Sequence, residues 1–241
     1  MAIPLNRTGR PTSNGPITQD LYLYEDIGNS LFGGISSKQV VNDLAAFGRI
    51  DQLNVRINSA GGDVSEGLAI YNALRRYPAN VTTYIDSAAW SIASIIAMAG
   101  SEVVMSDNAQ LMIHDPRAMV FATADELRTI ADTLDNSKDA MITAYQQHAK
   151  VSRRQLADWM DAETWFTAAE AKDAGFITRI ESGLQMAAHY APWQKFQNMP
   201  AWVKQRVKSG GSVPATGDRY RVALLRMGQR TEAVATKGSS K

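Results

Sequence analysis

The sequence predicts an α/β fold with parallel strands joined by helical crossovers, for three reasons. Strand-like runs rich in Val, Ile and Tyr alternate with amphipathic helical segments over roughly the first half of the chain. The junctions between them are turns of small residues, such as Ser59-Ala60-Gly61-Gly62. The 241 residues, of which 45% are hydrophobic, are enough for one sizeable core.

The first elements follow this alternation. Residues 1–17 are rich in Pro, Gly, Asn and Thr, which predicts a flexible arm. Residues 21–24 have strand character, and Ser36-Ser37 fits the N-cap of the helix that follows. A second strand, 53–58, leads through the glycine turn into a helix that stops before Pro78.

The pattern repeats with a strand at 81–85, a helix at 91–99 and strands at 102–105 and 110–114. Residues 123–150 then contain no Pro or Gly and carry apolar side chains along one face, which predicts one long helix. A helix of this length is expected to project in part and to pack on another subunit.

The predicted globular domain, residues 18–182, closes with three short elements. Two helices open with capping-box patterns, Ser152 with Gln155 and Thr167 with Glu170. Residues 176–180 follow as a closing strand.

Residues 183–241 are predicted to form a basic, partly disordered C-terminal extension. From residue 201 onward there are nine Lys or Arg against two acidic residues, whereas the whole chain has a net charge of only +1. Such a tail fits either a solvated, disordered segment or one that contacts acidic protein, nucleic acid or the acidic remainder of the chain.

Composition excludes several classes of protein. The 25 basic and 24 acidic residues give no overall attraction to nucleic acid or membranes, and the absence of cysteine excludes disulfides, a thiol nucleophile and Cys-ligated zinc. The N-terminal residues lack the apolar core of a signal peptide, and the longest apolar run is too short to span a bilayer. The sequence therefore predicts a soluble, cytoplasmic protein without a membrane partner.

Ser91 is the candidate nucleophile. It lies among small residues between a strand-like run and an apolar helix, where unpaired helix N–H groups can stabilise a developing anion. The same pattern also fits a serine that only caps a core helix.

His114 is the candidate base, because it ends a predicted strand, where the sites of α/β folds gather. A structural role fits the same position, and His148 and His189 are weaker candidates. Gly61-Gly62 allows backbone N–H groups to approach a ligand closely, as an oxyanion hole requires, but also fits an ordinary turn. No GxSxG, HExxH or GxGxxG motif is present, and no cofactor or metal is predicted.

Four segments carry a resemblance to a known family. They are INSAGGDVSEGLAIYNAL (57–74), DSAAWSIASIIAMAG (86–100), LMIHDP (111–116) and DAETWFTAAEAKDAGF (161–176). In order and spacing they resemble the Clp protease proteolytic subunit (ClpP) family over about residues 20–181. The segments RINSAGGDV (56–64) and SIIAMAG (94–100) are most similar in sequence to ClpP-related proteases of tailed-phage and prophage head-assembly modules.

The resemblance implies a serine endopeptidase with Ser91 as nucleophile and His114 as general base. The backbone N–H groups of Gly62 and Ile92 would form the oxyanion hole, with Gly61 shaping the turn. The peptide substrate would lie extended along the segments after Gly62 and His114. The implied substrate-binding residues are Gly61, Asp63, Val64, Asp115 and Pro116.

The sequence departs from the family pattern at two places. The family usually has Asp where this chain places Glu163, so Glu163 is the first choice for the third member of the triad and Asp161, two residues earlier, is the second. Ser87 and Trp90 stand near the nucleophile where the family commonly has Gly and Ala, and the bulk of Trp90 is expected to narrow access or to mark a different subsite.

The implied fold is a crotonase-like α/β spiral whose long helix, 123–150, is the handle that joins rings. The implied assembly is a heptameric ring or two stacked rings. Three functions stay open: a protease that processes phage scaffold or capsid protein, a degradative subunit served by an AAA+ unfoldase, and a non-catalytic assembly protein on the same fold.

Overall fold

The computed structural model describes residues 15–28 and 34–182. The predicted arm up to residue 14, the C-terminal extension from residue 183 and His189 lie outside the described residues. Within them, six helices and seven strands follow in this order: β1 (Thr18–Leu23), α1 (Ser37–Phe47), β2 (Gln52–Ser59), α2 (Val64–Arg75), β3 (Asn80–Trp90), α3 (Ile92–Ala97), β4 (Glu102–Ser106), β5 (Gln110–Ile113), α4 (Ala124–Tyr145), α5 (Arg153–Asp161), β6 (Thr164–Thr167), α6 (Ala168–Asp173) and β7 (Arg179–Glu181).

The seven described strands form one sheet. The strands β1, β2, β3, β4 and β7 pair in that order, and every one of these pairs is parallel, as the alternation predicts. The first half of β3 pairs with β4, whereas its last residues pair with β5. β3 is therefore longer than predicted, because residues 86–90 continue the strand. This added part pairs with β5, and β5 in turn pairs with β6.

One face of the sheet forms the core. Leu53, Val55 and Ile57 alternate along β2 and are fully buried in the cluster to which α1, α2 and α3 contribute. The intervening residues include Arg56, which forms an ion pair of 2.6 Å with Asp86 of β3. The opposite face therefore carries polar side chains at this part of β2 and β3. Among the described helices, none is both long and apolar enough to cross a membrane.

The strand β6 has no counterpart among the predicted elements. Its four residues, Thr164–Thr167, pair antiparallel with β5, and Ile113 lies opposite Thr164. The strand is short and stands between two helices, so it has no period of its own in the sequence. This pairing brings the chain after β5 alongside the chain before β6.

The predicted helix 123–150 is too long by several residues. Thr123 is the N-cap and α4 ends at Tyr145, whose fully buried ring packs 5.6 Å from the ring of Phe176. The chain must turn there, because the Lys150 N–H donates to the carbonyl of Ala174 at 2.9 Å.

The closing strand begins later than predicted. Gly175 ends α6 with a left-handed φ of 86°, and the N–H of Phe176 donates back to the carbonyl of Ala171 at 2.9 Å. This arrangement is a Schellman motif. Because Phe176 completes the end of the helix, pairing with β4 starts only at Arg179.

Candidate active site

Ser91 lies at the junction between β3 and α3. Its φ of 55° and ψ of −131° place a non-glycine residue in a strained region of backbone space. The Ser91 N–H donates to the carbonyl of Met112 in β5 at 2.9 Å, which anchors the junction to the sheet. The side chain makes no capping hydrogen bond to α3. Ser91 therefore occupies the N-cap position of α3, but its hydroxyl does not cap the helix.

The hydroxyl of Ser91 instead meets His114. The Nε2 atom of His114 lies 2.8 Å from Ser91 Oγ, and His114 is 8% exposed. With the imidazole neutral and its proton on Nδ1, the Ser91 hydroxyl donates to Nε2. A serine within hydrogen-bond reach of an imidazole has the geometry of a nucleophile with its base.

Glu163 lies across from His114. The register between β5 and β6 ends with Ile113 opposite Thr164, so His114 and Glu163 are the next residues beyond this last pair on the two chains. Glu163 is only 3% exposed and has a φ of 50°. The structure thus brings the predicted nucleophile, base and first-choice acid to the same end of the β3, β5 and β6 strands.

Asp161 points elsewhere. Its carboxylate lies 2.6 Å from the ammonium of Lys138 in α4, and its side chain is 62% exposed. The hydrogen bond from Lys138 is the largest cause that lowers the pKa of Asp161. Lys138 also contacts Asp115 at 2.9 Å, although burial is the largest effect on Asp115 and raises its pKa.

Gly61 and Gly62 form a turn pressed against the Ser91 junction. Both have positive φ, 88° and 152°, which favours glycine. A Cβ built on Gly61 would lie 2.7 Å from the Ser91 Cβ and 3.2 Å from the backbone N of Ile92, and one on Gly62 would lie 2.0 Å from the carbonyl oxygen of Ile27. Side chains are excluded at both positions, so only backbone approaches Ser91 from this side.

The two predicted oxyanion donors are the N–H of Gly62, in this turn, and the N–H of Ile92, at the start of α3. Ile92 is the first residue of α3, where backbone N–H groups have no acceptor within the helix. Ile27 donates to the carbonyl of Gly61 and accepts from the N–H of Asp63, so the intervening N–H of Gly62 points away from that pairing.

Two of the predicted substrate-binding residues hold the start of α2. The side chain of Asp63 accepts a hydrogen bond from the Glu66 N–H at 2.9 Å and caps the helix, and Val64 is its first residue. On the other side of the site, residues 114–123 contain neither helix nor strand, so Asp115 and Pro116 lie on an irregular segment between β5 and α4.

A hydrogen-bonded chain behind Ser91 was not predicted. The carbonyl of Ser91 accepts from the N–H of Ser94 at 3.0 Å and from its Oγ at 2.5 Å. The Ser94 Oγ lies 2.7 Å from the hydroxyl of Tyr145, which then donates to it, and Tyr145 is fully buried. The apolar spacing of α4 showed that Tyr145 faces the core but gave no sign of this partner.

Trp90 does not stand in open space beside the nucleophile. It is 3% exposed, and its ring packs edge-on against Trp165 with centroids 5.0 Å apart. Both residues pair in register with Met112, so they form one cross-strand row over β3, β5 and β6.

Within the described part of the chain, no group of three or more His, Asp or Glu side chains is arranged to hold a metal ion.

Comparison with known proteins identifies the family of the chain. The family model for Clp protease matches residues 23–183. The ATP-dependent Clp protease proteolytic subunit 1 of Streptomyces avermitilis is 31% identical over 134 residues, which are 55% of this chain and 62% of that protein. The proteolytic subunit 2 of Corynebacterium glutamicum is 30% identical over 130 residues, which are 53% of this chain and 65% of that protein.

The matched region therefore spans less than two thirds of either relative. The family model, in contrast, covers well over half of this chain and includes Ser91, His114 and Glu163. The mixed α/β fold with its largely parallel sheet is the fold of that family. The chain belongs to the Clp protease family.

Proposed function

We propose that the protein is a serine endopeptidase that cleaves peptide bonds with Ser91, His114 and Glu163. The observation that carries this proposal is the 2.8 Å contact between Ser91 Oγ and His114 Nε2, made by a serine in strained backbone geometry. A strained residue that the surrounding structure holds in place is typical of an active site.

The reaction follows from this arrangement. Ser91 Oγ attacks the scissile carbonyl carbon while His114 Nε2 takes the hydroxyl proton. The N–H groups of Gly62 and Ile92 stabilise the oxyanion of the tetrahedral intermediate. His114 then gives the proton to the leaving amine, and a water molecule, activated by the same imidazole, hydrolyses the acyl-enzyme and restores Ser91.

Glu163 is the favoured acid because of its place and burial. It lies opposite His114 in the β5–β6 register and is 3% exposed, whereas the Asp161 carboxylate is mostly exposed and bound to Lys138. A buried carboxylate beside the base orients the imidazole and stabilises its protonated form.

The substrate is an extended segment of protein. Residues 114–123 offer backbone without helix or strand directly after His114, and the turn at Gly62 lies on the other side of Ser91. A peptide between these two segments would pair with them as an added strand, with Asp115 and Pro116 at its edge.

Self-association into a ring is part of the proposal. Met119 and Phe121 are fully exposed, and Val120 and Leu127 are about half exposed, beside the start of α4. An apolar patch of this kind fits a surface that a second copy covers. A heptameric ring, single or stacked, would enclose the active sites.

Light scattering of the purified protein tests this assembly. The molar mass of the wild type is expected to be a multiple of the 26.3 kDa of one chain, and that of Phe121→Ser is expected to be smaller. Val41→Ser is the matched control, because Val41 is an exposed apolar residue on α1, away from α4. A monomeric wild type would contradict the ring.

Processing of phage scaffold or capsid protein is the favoured biological role. The support is the similarity of RINSAGGDV and SIIAMAG to phage-encoded relatives. The curated relatives are named as subunits of ATP-dependent proteases, which supports an AAA+ unfoldase as partner instead. Neighbouring genes for portal and capsid proteins would favour the first role, and a neighbouring unfoldase gene the second.

Chemical labelling tests the peptidase proposal. We expect a fluorophosphonate to add once to the wild type, at Ser91, as measured by intact-mass spectrometry and peptide mapping. Ser91→Ala is expected to give no adduct at this position and His114→Ala a much slower one. If the folded, assembled wild type stays unmodified, the protein is not an active peptidase in this state and the non-catalytic assembly role is favoured.

A further inference from the structure

Arg117 forms an ion pair with the buried Glu163. Its Nη2 lies 2.8 Å from Glu163 Oε2, and the side chains are 40% and 1% exposed. Burial of a carboxylate is costly, and a cation in direct contact lowers that cost. Arg117 reaches it from the protein surface and supplies a full positive charge.

The position of Arg117 in the chain couples it to the site. It stands three residues after His114, on a segment that runs beside residues 160–163, as the hydrogen bond of 3.2 Å from the Asp115 N–H to the Met160 carbonyl shows. The base and the cation therefore belong to one segment, and the acid that both face belongs to the other.

We propose that Arg117 is a positioning residue that holds the Glu163 carboxylate in place and, through its own positive charge, lowers the pH at which His114 becomes a competent base. The inference rests on the proposed peptidase function. It concerns the regulation of the same site by a side chain that contacts the acid and not the reacting atoms.

The signs of the charges on the neighbouring elements predict the effect of Arg117 on His114. On the two segments and on α4 they are Asp115, Arg117, Asp161, Glu163 and Lys138. Asp115 and Asp161 share Lys138, which leaves Arg117 as the cation paired with Glu163. A nearby cation disfavours protonated imidazole, and it also neutralises the carboxylate that would favour it.

Removing Arg117 should therefore move the acid limb of the pH–rate profile to higher pH. The experiment measures the rate of fluorophosphonate modification of Ser91 between about pH 5 and 9. The variants are Arg117→Ala, Arg117→Lys and, as matched control, Arg153→Ala. Arg153 has a similar exposure, 45%, and forms one ion pair of 2.6 Å with Asp139, away from Ser91.

We expect the midpoint of the acid limb to rise by about half a unit or more in Arg117→Ala, with a lower maximal rate. Arg117→Lys should return the midpoint toward the wild-type value, and Arg153→Ala should match wild type. A folded Arg117→Ala whose midpoint is unchanged or lower would overturn the role of Arg117, even if its rate falls at every pH. If Arg117→Ala does not fold, Arg117→Gln takes its place in the comparison. The role of Arg117 would then be overturned if the midpoints of Arg117→Gln and Arg117→Lys both equal that of wild type.

The wild-type measurement separates the two proposals. An unmodified wild type rejects the peptidase and the role of Arg117 together. Modification of the wild type at Ser91 with no shift in Arg117→Ala rejects only the positioning role.

Discussion

Gly61 and Ser91 are packed so closely that a methyl group on Gly61 would lie 2.7 Å from the Ser91 Cβ. The same methyl group would lie 2.7 Å from the carbonyl oxygen of Trp90. Distances this short require the backbone to move, and the atoms that must move are those of the strained junction itself. The turn before α2 and the turn before α3 therefore fix each other.

Gly61→Ala is expected to slow labelling of Ser91 by about 100-fold, because displacement of the junction misplaces the hydroxyl. The free energy of unfolding should fall by about 2 to 4 kcal/mol from the combined backbone strain and overpacking. Gly48→Ala is the control, since Gly48 has a φ of 67° but no atom within 4 Å of its built Cβ. It should lose only about 1 kcal/mol and keep the wild-type labelling rate.

Glu163→Gln is expected to slow labelling of Ser91 by roughly 100-fold or more, because the imidazole loses the charge that orients and stabilises it. Asp161→Asn should change the rate by less than about fivefold, since its ion pair is exposed. Thermal melts establish that both variants are folded. The reverse order of effects would make Asp161 the acid.

Tyr145→Phe removes the hydroxyl at the end of the chain that leads through Ser94 to the Ser91 carbonyl. We expect a loss of about 1 kcal/mol in the free energy of unfolding and a measurably slower labelling of Ser91. Tyr77→Phe is the matched control, because its hydroxyl contacts the carbonyls of Leu44 and Gly48, away from the site. Equal labelling rates in the two variants would show that Tyr145 supports only the core.

His148 gives the protein a component of acid sensitivity. Burial lowers its pKa below the value of 6.5 usual for histidine, and its Nε2–H donates to the carbonyl of Met98 at 3.2 Å. Below pH 6.5 the unfolded chain therefore binds a proton here more readily than the folded protein does. Stability falls as the pH decreases from 6.5 through the folded pKa, by at most about 1.4 kcal/mol per pH unit for one proton.

His148→Gln should lose less stability than wild type over this range. Urea denaturation at a neutral and a mildly acidic pH measures the difference, and the labelling of Ser91 is not needed. Parallel losses in the two proteins would assign the acid sensitivity to other groups.

The sequence predicted the elements whose signals are local. The order of strands and helices up to β5 is confirmed, as are the N-caps at Ser36, Ser152 and Thr167. Each of these signals depends on a few neighbouring residues, either through hydrophobic period or through a capping side chain.

The missed features depend on contacts between distant parts of the chain. The strand β6 forms through its antiparallel pairing with β5. The helix α4 ends where the ring of Tyr145 packs against that of Phe176. The pair of Arg117 and Glu163 joins residues 46 positions apart, and no spacing rule connects them. Ser91 and His114 were candidates from their positions in the sequence, and the family resemblance added Glu163 and the three catalytic roles. These roles stay predictions.

The β5–β6 pairing is structurally separate from the helices α4 and α5, which lie between the two strands in the chain. Four register pairs, from Gln110 with Thr167 to Ile113 with Thr164, set His114 and Glu163 opposite each other. The intervening excursion through α4 and α5 leaves from one end of this ladder and returns to the same end. Insertions or deletions within α4 itself would therefore leave the four register pairs of this ladder in place. The exposed surface of α4 can therefore change in sequence without a change in the strand pairing that precedes His114 and follows Glu163.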